Sequence, residues 1–257
     1  MANRHGDFIW YELLTTDADA AARFYEAVIG WKSRAFEGSE IGYRLFSIDG
    51  TDVAGFMPIP ADAKGMRPGW LGYVGVDDVD KIAAEIVQVG GTQYMPPADI
   101  PGVGRFAMLA DPQGVPFYVM RGASEETSTS FSPNGRGHCQ WNELNTSDQQ
   151  AALAFYKARF GWEKGDAMPM GEMGDYQFIN HHGQTIGAVM RRTPDGPPPA
   201  WTFYFGVADI DVAARAVSGN GGTIHYGPAE VPGGIFIIVA SDPQGAMFGL
   251  VGPRIPA

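Results

Sequence analysis

One cysteine, Cys139, stands in 257 residues. No disulfide can form within the chain, and a reducing compartment is the expectation. Long apolar runs are missing too. None approaches the roughly 20 residues that a membrane-spanning helix needs, and the opening MANRHGDFIW lacks the apolar core and small-residue cleavage site of a signal peptide. A cytoplasmic protein with no membrane partner is expected. Positive charge is scarce, with 18 Lys and Arg against 29 Asp and Glu for a net charge of −11. A nucleic-acid partner is therefore not expected, since a phosphate backbone would be repelled. GGIFIIV and PGVGRF are not followed by a helix start that could hold a phosphate, and a serine nucleophile elbow is absent.

Glycine and proline, by contrast, are abundant at 35 and 19 residues, as many short strands joined by tight turns require. The length suits two domains, each large enough for its own core. The chain also repeats itself. Aligned on Trp10 and Trp141, the stretches Trp10–Trp31 and Trp141–Trp162 share 12 of 22 residues at an offset of 131. The same offset pairs Trp70 with Trp201, Gly90-Gly91 with Gly221-Gly222, and the DPQG at Asp111 with the DPQG at Asp242. Only the middle slips, where Tyr43 matches Tyr176 at 133, implying a hairpin-loop difference. Two copies make a tandem duplication rather than a solenoid. Residues 1–122 form the first domain and 137–257 the second, with the Ser/Thr/Gly-rich stretch 123–136 as an exposed linker.

Within each copy the pattern strand–helix–strands occurs twice. Asp17 is placed to N-cap a helix whose Ala21, Phe24 and Val28 make one buried stripe, and Gly30 stops it. Val79, Ile82 and Ile86 make the stripe of a second helix. The ADPQG between RFAML and VPFYVM signals a hairpin. Each copy is thus two βαβββ half-modules.

The segments TTDADAAARFYEAVIGW and TSDQQAALAFYKARFGW, the VDDVD and ADIDV that open the second helices, and the terminal DPQG resemble the vicinal oxygen chelate superfamily of glyoxalases, bleomycin resistance proteins and extradiol dioxygenases. The resemblance covers nearly the whole chain outside the linker, and within the family it points to the tandem two-domain subgroup. It implies an α+β fold of two tandem glyoxalase-like domains, each of two βαβββ half-modules forming a curled mixed β sheet around a ligand cavity, with helices outside. It also implies metal ligands, usually His and Glu, on the strands. Those family positions fall on Trp10 and Trp141, on Leu71 and Thr202, and on Tyr118 and Gly249. Indole, isobutyl, phenol and bare backbone are poor ligands for a divalent ion, so no metal and no other cofactor is expected. His5 lies near the N-terminus, His181-His182 sit at a hairpin turn that should be exposed, and His225 begins a strand.

Side chains alternate faces along a strand. If Trp10 faces the cavity, so do Glu12 and Leu14, and in the second copy Cys139, Trp141, Glu143 and Asn145. By the same parity Tyr73, Tyr118, Thr202, Tyr204, Met247 and Gly249 line it, while Leu13, Val74, Val76, Leu144, Phe203 and Phe205 face the helices. Glu12 and Glu143 are the candidate catalytic groups, since a carboxylate beside an indole in a partly dry cavity suits acid–base work. The alternative is that both hold the shared fold together. The candidate ligand-binding residues are Trp10, Tyr73, Tyr118, Trp141, Asn145, Thr202, Tyr204, Met247 and Gly249. Gly249 for Tyr118, Thr202 for Leu71 and Asn145 for Leu14 should make the second-copy walls roomier and more polar. The expected function is binding a small, partly aromatic or apolar molecule. A lyase or dioxygenase with unorthodox metal ligands, and a structural protein with filled cavities, are the alternatives. The chain is expected to act as a monomer, an internal pseudo-dimer, or as a homodimer.

Overall fold

A computed structural model describes residues 3–63, 65–193 and 195–256. In the first copy β1 (Phe8–Thr15), α1 (Ala18–Ile29), β2 (Lys32–Ala35), β3 (Arg44–Ile48) and β4 (Thr51–Pro58) form one half-module. The other half-module of that copy is β5 (Gly69–Gly75), α2 (Val79–Gln88), β6 (Thr92–Ile100), β7 (Gly104–Ala110) and β8 (Pro116–Gly122). The second copy repeats this with β9 (Cys139–Thr146), α3 (Gln149–Phe160), β10 (Glu163–Pro169), β11 (Asp175–His181) and β12 (Gln184–Arg191). Its last half-module is β13 (Ala200–Gly206), α4 (Ile210–Gly219), β14 (Thr223–Val231), β15 (Ile235–Ser241) and β16 (Met247–Gly252).

Local chemistry places the helices as the sequence requires. Asp17, Asp78, Asp148 and Asp209 are the four N-caps, each accepting from a backbone N–H of the first turn. Gly30 and Gly161 end α1 and α3 at φ 88° and 74°, a left-handed turn open to glycine at little cost. The stripes Ala21, Phe24, Val28 and Val79, Ile82, Ile86 are buried.

Two mixed eight-stranded sheets result, in the orders β2-β3-β4-β1-β5-β8-β7-β6 and β10-β11-β12-β9-β13-β16-β15-β14. Each copy therefore builds its own sheet. Packing follows a different division. One compact unit combines residues 1–9, 71–128 and 141–201, and the other combines 10–70, 129–140 and 202–257. Each unit thus joins a half-module of one copy to the opposite half-module of the other.

A buried Trp–Tyr–Asp chain ties each unit together. In the first unit the Trp201 indole N–H donates to the Tyr156 hydroxyl at 3.3 Å, and that hydroxyl donates to Asp111 at 3.0 Å. In the second, Trp70 donates to Tyr25 at 2.9 Å and Tyr25 to Asp242 at 3.1 Å. The aspartates open the two DPQG turns, and each also accepts from two backbone N–H groups, Gln113 and Val115 or Gln244 and Ala246. Burial pushes both carboxyls above the usual carboxylate range, against the pull of these donors.

The linker is continuously exposed only in its first part, residues 123–127, and beyond that at Thr129, Asn134 and Arg136. From Ser128 onward it is held by hydrogen bonds, contrary to its polar composition. The Ser128 backbone N–H donates to Asn3 at 2.7 Å, and Phe131 bridges to Cys139. The Trp31 indole donates to the Gly137 carbonyl at 2.7 Å, as Trp162 does to Gly6 at 2.8 Å. Residues 129–140 thus serve the second unit as residues 1–9 serve the first.

Candidate functional site

The alternation read from the sequence is present in β9. Asn142, Leu144 and Thr146 are fully buried, whereas Trp141, Glu143 and Asn145 are half-buried on the other face. Glu143 is held on both sides. Its Oε1 accepts from Asn145 Nδ2 at 3.1 Å, and its Oε2 accepts from the Tyr176 hydroxyl at 2.7 Å. The same hydroxyl accepts from the Trp141 indole N–H at 2.8 Å. A donor chain therefore runs indole to phenol to carboxylate, fixing the carboxylate as an acceptor. Trp141 and Tyr176 lie near-parallel at 6.5 Å and 6°, and Phe178 meets both edge-on.

The first copy builds the same start and closes it. Trp10 donates to the Tyr43 hydroxyl at 2.9 Å. Tyr43 lies over Gly55, where a Cβ would overlap its ring, and Gly55 is the register partner of Glu12. Ala188 stands beside Glu143 where Gly55 stands beside Glu12. Glu12 is 3% exposed and Leu14 4%, against the half-buried Glu143 and Asn145.

Sequence reasoning missed Tyr43, Tyr176 and Phe178. The signal was there: Tyr43 and Tyr176 were the pair that marked the slip in the repeat, shared by both copies, Tyr176 on β11 and Tyr43 just before β3.

The remaining candidates do not join this cluster in the way expected. Tyr73 and Tyr118 stack on each other at 4.2 Å and 17°, both buried. Thr202, Tyr204, Met247 and Gly249 belong to the other unit. Gly249 opens no space: a Cβ there would overlap the Tyr204 ring, which occupies the volume a side chain would take. Tyr204 is itself 3% exposed, so the expectation of a roomier wall at Gly249 is corrected. Met247 is exposed and Thr202 half-buried. Gly249→Ala is accordingly expected to destabilise the protein by about 1–3 kcal/mol through overpacking. Gly69→Ala, with nothing within 4 Å, should be nearly silent. Denaturant unfolding of the two variants compares them.

A cavity of about 460 Å³ also lies away from Trp141, on the helix side between α3 and β10–β12. Ile179 and Val189 stand there where the first copy has Phe46 and Phe56. Its floor of Tyr156, Trp162 and Val189 is almost wholly sealed.

The glyoxalase/bleomycin resistance protein/dioxygenase superfamily matches residues 8–119 and again 135–250, which is most of the chain. The chain belongs to this superfamily. CFP32 of Mycobacterium tuberculosis, whose name contains the word glyoxylase, is 34% identical over 253 residues, covering 97% of this chain and 96% of that protein. The anthracycline biosynthesis protein DauV of Streptomyces is 30% identical over 256 residues, covering 94% and 91%. The fold is also that of the Mn(II)-bound glyoxalase from Novosphingobium aromaticivorans, at 18% identity and TM-score 0.63, covering 100% and 88%.

The positions at which the family resemblance implies metal ligands hold no matching donor set in this chain. The indole nitrogens of Trp10 and Trp141 carry hydrogens given to Tyr43 and Tyr176. Tyr118 is stacked on Tyr73, and Gly249 has no side chain under Tyr204. Of the remaining two positions, Leu71 is aliphatic, and Thr202 offers a neutral hydroxyl, a weak ligand by itself.

Proposed function

We propose that the chain binds a planar, at least partly aromatic small molecule on the open face of β9, without a catalytic metal there. The observation that carries this reading is the half-buried Glu143, fixed by Tyr176 and Asn145 beside an aromatic surface of Trp141, Tyr176 and Phe178. Aromatic faces give a flat ligand stacking area, and a fixed carboxylate accepts a hydroxyl or N–H at its edge. The word anthracycline in the name of DauV supports a polycyclic aromatic ligand. Sequestration, or proton transfer to Glu143 without a metal, are the chemistries this arrangement offers. The filled-basin alternative describes the first copy, where Glu12 and Leu14 are sealed.

Titration with a hydroxyanthraquinone, followed by tryptophan fluorescence, tests the reading. Saturable quenching is expected, with affinity falling at least about tenfold in Trp141→Ala, the loss of a stacking surface. Equal affinity in the variant would reject binding at this face.

A further inference from the structure

A second cluster lies away from β9's open face, where Asp7, His181 and His182 each offer a ligand atom within 4.8 Å of the others. It was unexpected, because His181 proves to be buried rather than exposed at its turn, at 5%. Residues next to each other in a strand face opposite ways. Here the chain turns left-handed at His182, φ 49°, and Gly183, φ 78°, the backbone of a two-residue hairpin turn. That turn sets the two imidazoles side by side, with ring centroids 4.0 Å apart. Asp7 approaches from the N-terminal segment, its Oδ1 3.5 Å from His181 Nε2. Two ligands of one tetrahedral zinc, each at about 2.0–2.1 Å, stand roughly 3.3–3.4 Å apart. The aspartate and the buried histidine are thus already at the spacing an ion would impose, and the exposed His182 is free to close on it.

The duplicated hairpin in the other copy shows what this place looks like without such a set. Ile48 and Asp49 occupy the positions of His181 and His182, with Asp49 at φ 48°, and His138 occupies that of Asp7. The backbone is kept, and a buried aliphatic residue is replaced by a ligating one.

We propose that Asp7, His181 and His182 bind one divalent transition-metal ion of the zinc class, with water completing the tetrahedron. His181 Nε2 now faces the His5 carbonyl at 3.0 Å. On binding, the neutral ring carries its one hydrogen on Nδ1, the bond from Nε2 to the His5 carbonyl is given up, and Nε2 gives its lone pair to the metal. Arg4 donates through Nε to Asp7 Oδ2 at 3.1 Å and through Nη2 to Oδ1 at 3.2 Å. It keeps the first bond and yields the second, so that it orients the liganding carboxylate from behind.

Calorimetric titration of tag-free, chelator-washed protein with zinc chloride decides the matter. One zinc per chain is expected, with affinity reduced at least about tenfold in His182→Ala and in Asp7→Asn, as loss of a ligand requires. His182 is exposed and Asp7 half-buried, so both variants should fold, and their melting without metal checks that. His225→Ala and Glu143→Gln should leave the affinity unchanged. Zinc should raise the melting temperature of the wild type and not of His182→Ala. No saturable binding to the wild type, or wild-type affinity in either ligand variant, overturns the site. Loss of binding in Glu143→Gln alone would also overturn it, by placing the ion on the open face.

Discussion

Asp111→Ala is expected to lower stability by on the order of 3–5 kcal/mol, because it strands several buried donors at once. Its Oδ1 accepts from the Gln113 and Val115 backbone N–H groups at 2.8 and 3.0 Å, and its Oδ2 from Tyr156 at 3.0 Å. The alanine leaves all three to find partners in a place nearly closed to water. Asp111→Asn should be milder, since the amide oxygen keeps the two backbone donors and carries no charge. The pKa direction supports that order. Burial raises the folded pKa of Asp111 above its unfolded value, so ionisation opposes folding. That penalty is absent below the unfolded pKa and grows as pH rises through the folded one. Neutral asparagine escapes it. Denaturant unfolding at neutral pH should rank wild type and Asn above Ala, with Asp242→Ala behaving alike in the other unit. Loss below about 1 kcal/mol in both alanine variants would mean that the Trp–Tyr–Asp chains do not hold the units.

Glu12→Gln and Glu143→Gln are expected to divide stability from binding. Glu12 is almost wholly buried, so its change should cost about 1–3 kcal/mol and leave hydroxyanthraquinone binding intact. Glu143 is half-buried and keeps an acceptor oxygen as glutamine. Its change should cost less than about 1 kcal/mol of stability, while binding weakens about tenfold with the loss of a charged acceptor. Melting and fluorescence titration of the two purified variants read both quantities. Matching losses at both sites would make the two carboxylates structural. Unchanged binding in Glu143→Gln would remove the carboxylate from the ligand site.

Periodicity carried most of the fold, because caps, stripes and turns are local physics. Asp17 starts α1 through its carboxylate and Gly30 ends it by having no side chain, and the alternation along β9 sorted Leu144 from Glu143 correctly. The site was legible only in part. Trp141, Glu143 and Asn145 share a strand, so parity found them. Tyr176 comes from a strand reached through a loop of altered length, and only its hydroxyl, 2.7 Å from Glu143, shows its role. Gly249 failed for a different reason. Deleting a side chain leaves a vacancy only if no neighbour takes it, and Tyr204 does. His181 was misjudged because a turn residue is usually solvated, and the N-terminal segment that covers it is distant in sequence.

The cross-copy Trp–Tyr–Asp chains also bear on how such a chain could have arisen. Tyr25 finds its aspartate in the second copy and Tyr156 finds its own in the first. A lone ancestral copy would have carried both halves of that bond with nowhere to make it internally. Two such polypeptides could have satisfied each other reciprocally, each lending the other a DPQG turn. Fusing them converts a concentration-dependent association into an intramolecular one, and the exposed stretch 123–127 need do no more than keep the ends together. Once fused, the copies are released from identity. A dimer must repeat every substitution twice, whereas here one open face can close around Glu12 while its twin stays accessible at Glu143.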